Sequence, residues 1–171
     1  MLSLHEVLIF TTGGTIEKIY NEFDGSLENK ETTIRNKISS RLRLPATEIH
    51  VTPLMSKDSL HMTDEDRDLI LNHVKEHAFA DKSIIVLHGT DTMAVTAERC
   101  WKSILNPKVP IIFTGAMRPM GFEDSDALQN ITEALILSKV LKPGFYICFH
   151  NQIFEVPGVQ KNRIKGTFER V

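Results

Sequence analysis

The chain has 171 residues, enough for about one domain with a substantial core. Hydrophobic residues make up 42% and charged residues 25%, with a formal net charge of -2, a balance that argues against a nucleic-acid or membrane-surface partner. The N-terminus lacks a basic region followed by an apolar run and a cleavage site, and the longest apolar stretches fall far short of a bilayer's thickness, so the expected address is the cytoplasm.

The first apolar segment, "EVLIFT" at 6–11, runs into "TTGGT" at 11–15. A helical pattern at 32–43, "TTIRNKISSRLR", precedes a second strand pattern, "EIHVTPL" at 48–54, which is followed by "SKDS" at 56–59. Thr63 stands before the acidic turn "DED" and is the expected N-cap of a helix reaching residue 79, with carboxylates at the positive end of its dipole. "SIIVLH" at 83–88 leads into "GTDT" and a helix over 90–105; "PIIFTG" at 110–115 leads into "AMRP". A helix over 125–141 then precedes the apolar "FYICFH" at 145–150, and the polar stretch 151–171 predicts a packed tail or a short hairpin.

Most of these strands are apolar throughout instead of alternating, the pattern of parallel strands covered on both faces. Alternating strand and helix units predict an α/β fold: one open, doubly wound, mostly parallel sheet with helices on both faces, flavodoxin- or Rossmann-like. No internal repeat or linker divides the chain, so residues 1–171 are expected to form a single domain. Cys100 and Cys148 match neither a disulfide framework nor a metal spacing and read as reduced, buried and structural.

Ligands of such a sheet bind beyond the carboxyl ends of its strands. There this sequence gathers "TTGGT", "SKDS", "HGTDT" and "TGAMRP", a set of hydroxyls, glycines and one carboxylate. Gly13 and Gly14 permit positive φ and close backbone approach, and the amides of their turn can point at an anion. Neither G-x-G-x-x-G nor G-x-x-x-x-G-K-[ST] is present, which removes most support for a nucleotide loop. Asp91 is either a cap of the following helix or a carboxylate that holds a lysine beside a threonine. Lys161, in "VQKNR", is either a solvated lysine or part of a loop that turns back across the site.

"TTGGTI", "HGTDTM" and "TGAMRP", in this order and at these separations, resemble the bacterial-type L-asparaginase family, amidohydrolases that convert L-asparagine to L-aspartate and ammonia. The resemblance runs from about Val7 to Lys161 and covers the larger N-terminal domain of the usual two-domain enzyme, as in short single-domain members. It implies Thr12 as nucleophile, forming an acyl-threonine ester, and Tyr20 as the tyrosine of a mobile lid between Glu17 and Glu31. Thr90, Asp91 and Lys161 are the implied second threonine, aspartate and lysine of the catalytic set. The implied substrate-binding residues are Gly13, Ser59 (for the α-carboxylate), Gly89, Thr90 and Asp91 (for the α-amine). No cofactor or metal is implied, and the expected partners are a small-molecule substrate and further copies of the chain in a homo-oligomer.

Leu60 departs from the family pattern, which has Gln or Glu after the binding serine, and a leucine offers no acceptor to an ammonium. The two-domain enzymes also borrow an acidic residue from a partner's C-terminal domain, so recognition of the α-amine is expected to lean on Asp91. His73 and His77 fall four apart on a helix without a zincin's glutamate placement and read as packing residues. His88 reads as a buried, hydrogen-bonded histidine behind the site, Arg118 as a structural ion-pair partner of Glu123 or Asp124, Trp101 as helix packing, and "DEDRD" and "FEDSD" as helix starts. An asparaginase with an accompanying glutaminase activity is the leading functional class. The ammonia-releasing subunit of a tRNA-dependent amidotransferase and a non-catalytic module that binds asparagine or aspartate are the alternatives.

Overall fold

The computed structural model describes residues 4–30 and 33–171. Thr32, the first residue of the first expected helix, and Glu31, the end of the expected lid, lie outside the described residues. The elements are β1 (His5–Gly13), β2 (Lys18–Tyr20), β3 (Leu27–Asn29), α1 (Ile34–Arg41), β4 (Thr47–Lys57), α2 (Asp64–His77), β5 (Ser83–Leu87) and α3 (Met93–Ser103). They continue with β6 (Pro110–Thr114), α4 (Ala127–Val140), β7 (Gly144–Phe149), β8 (Gln152–Glu155), β9 (Val159–Asn162) and β10 (Thr167–Arg170).

The central sheet has the order β4-β1-β5-β6-β7-β8. Its first five strands in that order are parallel, and β8 pairs antiparallel with β7. This is the doubly wound order in which the first strand sits one place from the edge, and the direction of winding reverses between β1 and β5. Two small hairpins, β2–β3 and β9–β10, lie outside the sheet. The second is the hairpin expected in the polar C-terminal stretch.

The strand interiors are apolar because both faces are covered. Phe10, Val86, Ile111, Phe113 and Phe149 pack with Ile70 and Val74 of α2 and Ala97 and Cys100 of α3. On the opposite face Ile9, Ile85, Leu87 and Ile112 pack with Ile38 of α1 and Ile131 and Leu135 of α4. Cys100 and Cys148 are free and buried, one in each layer, and burial pushes both thiols up to about 12. His73 and His77 tilt against the ring of Phe10 at 5.8 and 5.9 Å.

β4 is an edge strand and carries Pro53, whose missing N–H is tolerated there. It extends to Lys57, three residues beyond the sequence expectation, and reaches the bulge at the end of β1, where the register shifts between Thr11 and Gly13. Thr63 caps α2 in a capping box: its hydroxyl accepts from the Asp66 amide at 3.3 Å, and the Asp66 carboxylate accepts from the Thr63 amide at 2.9 Å. Thr63→Ala is expected to lower stability by about 1 kcal/mol in urea unfolding.

Candidate active site

The site forms where the winding reverses, at the carboxyl ends of β1 and β5. Gly13 and Gly14 follow the buried end of β1 with φ of 93° and 74°, conformations that side chains other than glycine rarely adopt. A Cβ on Gly13 would fall on the Lys57 backbone, and one on Gly14 would come within 2.5 Å of the Gly89 Cα. Gly89 is pressed in turn against Ser59, whose Cβ and Oγ would lie 2.6 Å from a Cβ at that position. Three chain segments, after β1, after β4 and after β5, therefore touch through backbone and one serine.

Within "TTGGT" the side chains divide by depth. Thr12 is fully buried and its hydroxyl donates to the Leu87 carbonyl at 2.9 Å, which ties β1 to β5. An oxygen sealed between two strands is out of a substrate's reach in this conformation, which argues against the expectation of Thr12 as nucleophile. Thr15 opens the 3-10 turn Thr15–Glu17, is half-buried, and has a hydroxyl bonded to no protein group among the described residues. The sequence signal for it was the third threonine of the same motif, placed after the glycines that turn the chain out of the sheet. One amide of the turn does face an anion, and that anion belongs to the chain itself. The Gly13 amide donates to the Glu17 carboxylate at 2.6 Å and the Gly14 amide to the Lys57 carbonyl at 2.8 Å.

The Thr90, Asp91 and Lys161 side chains meet. The β9–β10 hairpin brings the Lys161 Nζ to 2.7 Å from the Thr90 Oγ1 and 3.0 Å from the Asp91 Oδ1. The Thr90 hydroxyl donates in turn toward the Met117 sulfur at 3.8 Å. Arg163, two residues further along the hairpin, places its Nη2 at 2.7 Å from the same Asp91 oxygen. Arg163 was not singled out in the sequence, because only the fold of the hairpin brings it to Asp91.

Ser59 is buried and its Oγ has no hydrogen-bond partner among the described residues, while its carbonyl accepts from the Thr92 hydroxyl at 2.9 Å. Asp58 caps this turn through the Leu60 amide and receives the Lys18 ammonium at 2.8 Å, which lowers its carboxyl. The β2–β3 hairpin is thus anchored beside Ser59. Tyr20, on that hairpin, is 57% exposed and has its hydroxyl near Gly25. Like Thr12, it is not brought into the cluster.

Behind the cluster, His88 is completely buried, and burial pushes its imidazole down to about 4. The neutral ring donates from Nδ1 to the Gly89 carbonyl and accepts at Nε2 from the Thr96 hydroxyl, both at 2.8 Å. Pinning that carbonyl fixes the Gly89–Thr90 peptide plane and directs the Thr90 N–H to the opposite side. The Thr90 amide donates to no protein acceptor among the described residues. Asp126, expected only as a helix start, binds the Met117 and Arg118 amides at 3.0 Å and His150 at 2.7 Å, and so braces "TGAMRP". Arg118 pairs with Asp124. Glu6, Glu48 and His50 also cluster near the opposite ends of β1 and β4, where the Lys82 ammonium is bound to Glu6, an ion-pair arrangement.

A hydroxyl-rich crevice at the switch point of a doubly wound sheet, with a lysine held between a threonine and an aspartate, defines a class of α/β proteins equipped for acyl chemistry. The chain belongs to the asparaginase family: the sequence model described as "Asparaginase, N-terminal" matches residues 6–168. It is 30% identical over 148 residues to an L-asparaginase of Thermococcus kodakarensis, covering 86% of this chain and 45% of that protein. It is 34% identical to L-asparaginase 1 of Escherichia coli K12 (77% of this chain, 40% of that protein). It is 26% identical to a glutamyl-tRNA(Gln) amidotransferase subunit of Methanobrevibacter smithii (88% of this chain, 35% of that protein). The solved structure of the thermostable L-asparaginase from Thermococcus kodakarensis superposes with a TM-score of 0.86 at 28% identity, over 97% of this chain and 51% of that one. The chain thus spans less than half the length of these relatives by sequence.

Two outcomes follow from the packing. Gly14→Ala combines a positive φ with a backbone clash and is expected to cost about 3 kcal/mol in denaturant unfolding. For His88, the unfolded chain binds a proton below pH about 6.5 that the folded chain takes up only near 4. Stability from this group is therefore complete above 6.5 and falls as pH drops from 6.5 to 4, by roughly 3 kcal/mol in all. Thermal unfolding across that range measures it.

Proposed function

We propose that the chain is an asparaginase-type amidohydrolase, releasing ammonia from the side-chain carboxamide of L-asparagine or an amide of the same reach, with Thr15 as nucleophile. The observation that carries this reading is the Lys161 ammonium held between the Thr90 hydroxyl and the Asp91 carboxylate, beside the Gly14–Gly89 contact that precedes Thr15. A threonine hydroxyl needs such a neighbour to be deprotonated at neutral pH.

In this mechanism the Thr15 oxygen bonds to the amide carbon, and the developing oxyanion is met by the Thr90 N–H, whose direction His88 sets. The proton leaving Thr15 passes to the Thr90 oxygen as the Thr90 proton moves to Lys161 and a Lys161 proton moves to the Asp91 carboxylate, and the same path returns it to the leaving nitrogen. The C–N bond then breaks and ammonia departs. Water next attacks the acyl-threonine ester, releasing the acid and restoring the hydroxyl. Gly13 and Gly89 act by letting the loops close, and the unpartnered Ser59 hydroxyl is left for the substrate carboxylate. Tyr20 covers the nucleophile only if the β2–β3 hairpin moves inward.

All of these groups lie within residues 4–171, so we assign the chemistry to this single α/β unit. No helix among the described residues is long and apolar enough to cross a membrane, and the reading places the enzyme in the cytoplasm. Ile136 and Val140 are exposed on α4 and offer an apolar face to a second copy in a homo-oligomer. The likeness to an amidotransferase component supports a second reading, in which the ammonia is handed to a partner enzyme instead of released.

Ammonia release from L-asparagine tests the assignment. Thr15→Ala and Lys161→Met are each expected to lower kcat at least 10³-fold, whereas Thr12→Val keeps turnover within about tenfold and mainly lowers stability, by about 1 kcal/mol. Turnover lost in Thr12→Val and kept in Thr15→Ala would restore Thr12 as nucleophile. Asparagine that raises the melting temperature without releasing ammonia would mark a binding module.

A further inference from the structure

Resting on the amidohydrolase reading, we propose that Arg163 occupies the position on Asp91 that a substrate ammonium would need. The preferred substrates are then monoamides of short dicarboxylic acids that lack an α-ammonium, of which succinamate is the simplest. L-Asparagine is a weaker substrate that must displace the guanidinium.

The argument is one of charge and acceptors. An α-amino acid amide brings an ammonium and a carboxylate, and each needs a partner when it leaves water. The carboxylates at the crevice are already committed. Asp58 is bound by Lys18, Glu17 faces inward to the Gly13 amide, and Asp91 receives both Lys161 and Arg163 on one oxygen. Asp91, Lys161 and Arg163 together carry one net positive charge, which attracts a carboxylate and repels an ammonium. The residue after Ser59 is Leu60, 60% exposed, whose side chain accepts no hydrogen bond. On the other side, the buried Ser59 hydroxyl has no partner among the described residues and can donate to an anionic oxygen.

Arg163 is well suited to this role because its presence is not required for the fold. Its side chain is 65% exposed, on the β9–β10 hairpin at the edge of a cavity of about 540 Å³ between β9 and α3. A pair that exposed contributes little to stability, so its removal tests recognition rather than folding. Lys161, 15% exposed and bonded to both Thr90 and Asp91, belongs to the reaction and is left untouched.

Titration calorimetry on the Thr15→Ala chain, in which turnover is blocked, compares succinamate with L-asparagine. Succinamate is expected to bind at least about 10-fold more tightly. Adding Arg163→Gln is expected to bring the two within about 3-fold, chiefly by strengthening asparagine, with the melting temperature unchanged. Asparagine binding as tightly as succinamate, a ratio that Arg163→Gln does not move, or no binding of either amide would overturn the assignment. Ammonia release by the unaltered chain is scored separately. A binding preference without release from either amide removes the hydrolase reading and leaves the role of Arg163 standing.

Discussion

The contact of Gly14 with Gly89, and of Gly89 with Ser59, is the constraint on which the site depends. Parallel strands lie about 4.8 Å apart, and side chains on the loops that leave them would hold those loops away from one another. Here the missing Cβ atoms let the segments after β1, β4 and β5 meet backbone to backbone, closer than any other residue pair would allow. The loops that carry Thr15, Thr90 and Ser59 then meet, although they leave strands at three different positions in the sheet. The buried tie from Thr12 to Leu87 and the Glu17 carboxylate under the Gly13 amide hold the first of these loops in its conformation. These are supporting bonds, and their depth is what distinguishes them from reacting groups.

The charged part of the site is organised differently. Lys161 and Arg163 reach Asp91 from a hairpin outside the sheet, so the cations are supplied by an element that is not one of the parallel strands. Phe168 of β10 and Val159 of β9 are buried against the layer that holds α2 and α3, which seats the hairpin. Specificity in such an arrangement can vary through exposed residues of the hairpin while the core and the threonines stay fixed.

Much of this was legible in the residues. The all-apolar strands "SIIVLH" and "PIIFTG" read as buried parallel strands because both faces of each are covered, and the clustering of hydroxyls at strand ends located the crevice. Thr63 followed by acidic residues was a correct cap because capping is a local interaction. Within "TTGGT" the residues alone do not say which of the two threonines flanking the glycines faces the crevice, because only the bulge and the positive φ angles decide which of them leaves the sheet. His88 was legible as a buried, hydrogen-bonded histidine. Arg163 escaped because its contact with Asp91 joins segments far apart in the chain, and the brace at Asp126 because an acidic residue before a helix reads first as a cap.

The position of Lys161 has a consequence for how the protein is made. Thr90 lies 71 residues earlier, so during synthesis the first strands and their threonine loops emerge well before the hairpin that carries the lysine. Parallel sheets close slowly because their pairings join distant segments, and domains assemble as units while the chain is extended from its N-terminus. Thr90 and Lys161 therefore meet only after nearly the whole unit has been made. Seating of the hairpin, through Phe168 and Val159, is what brings the cations to the hydroxyls.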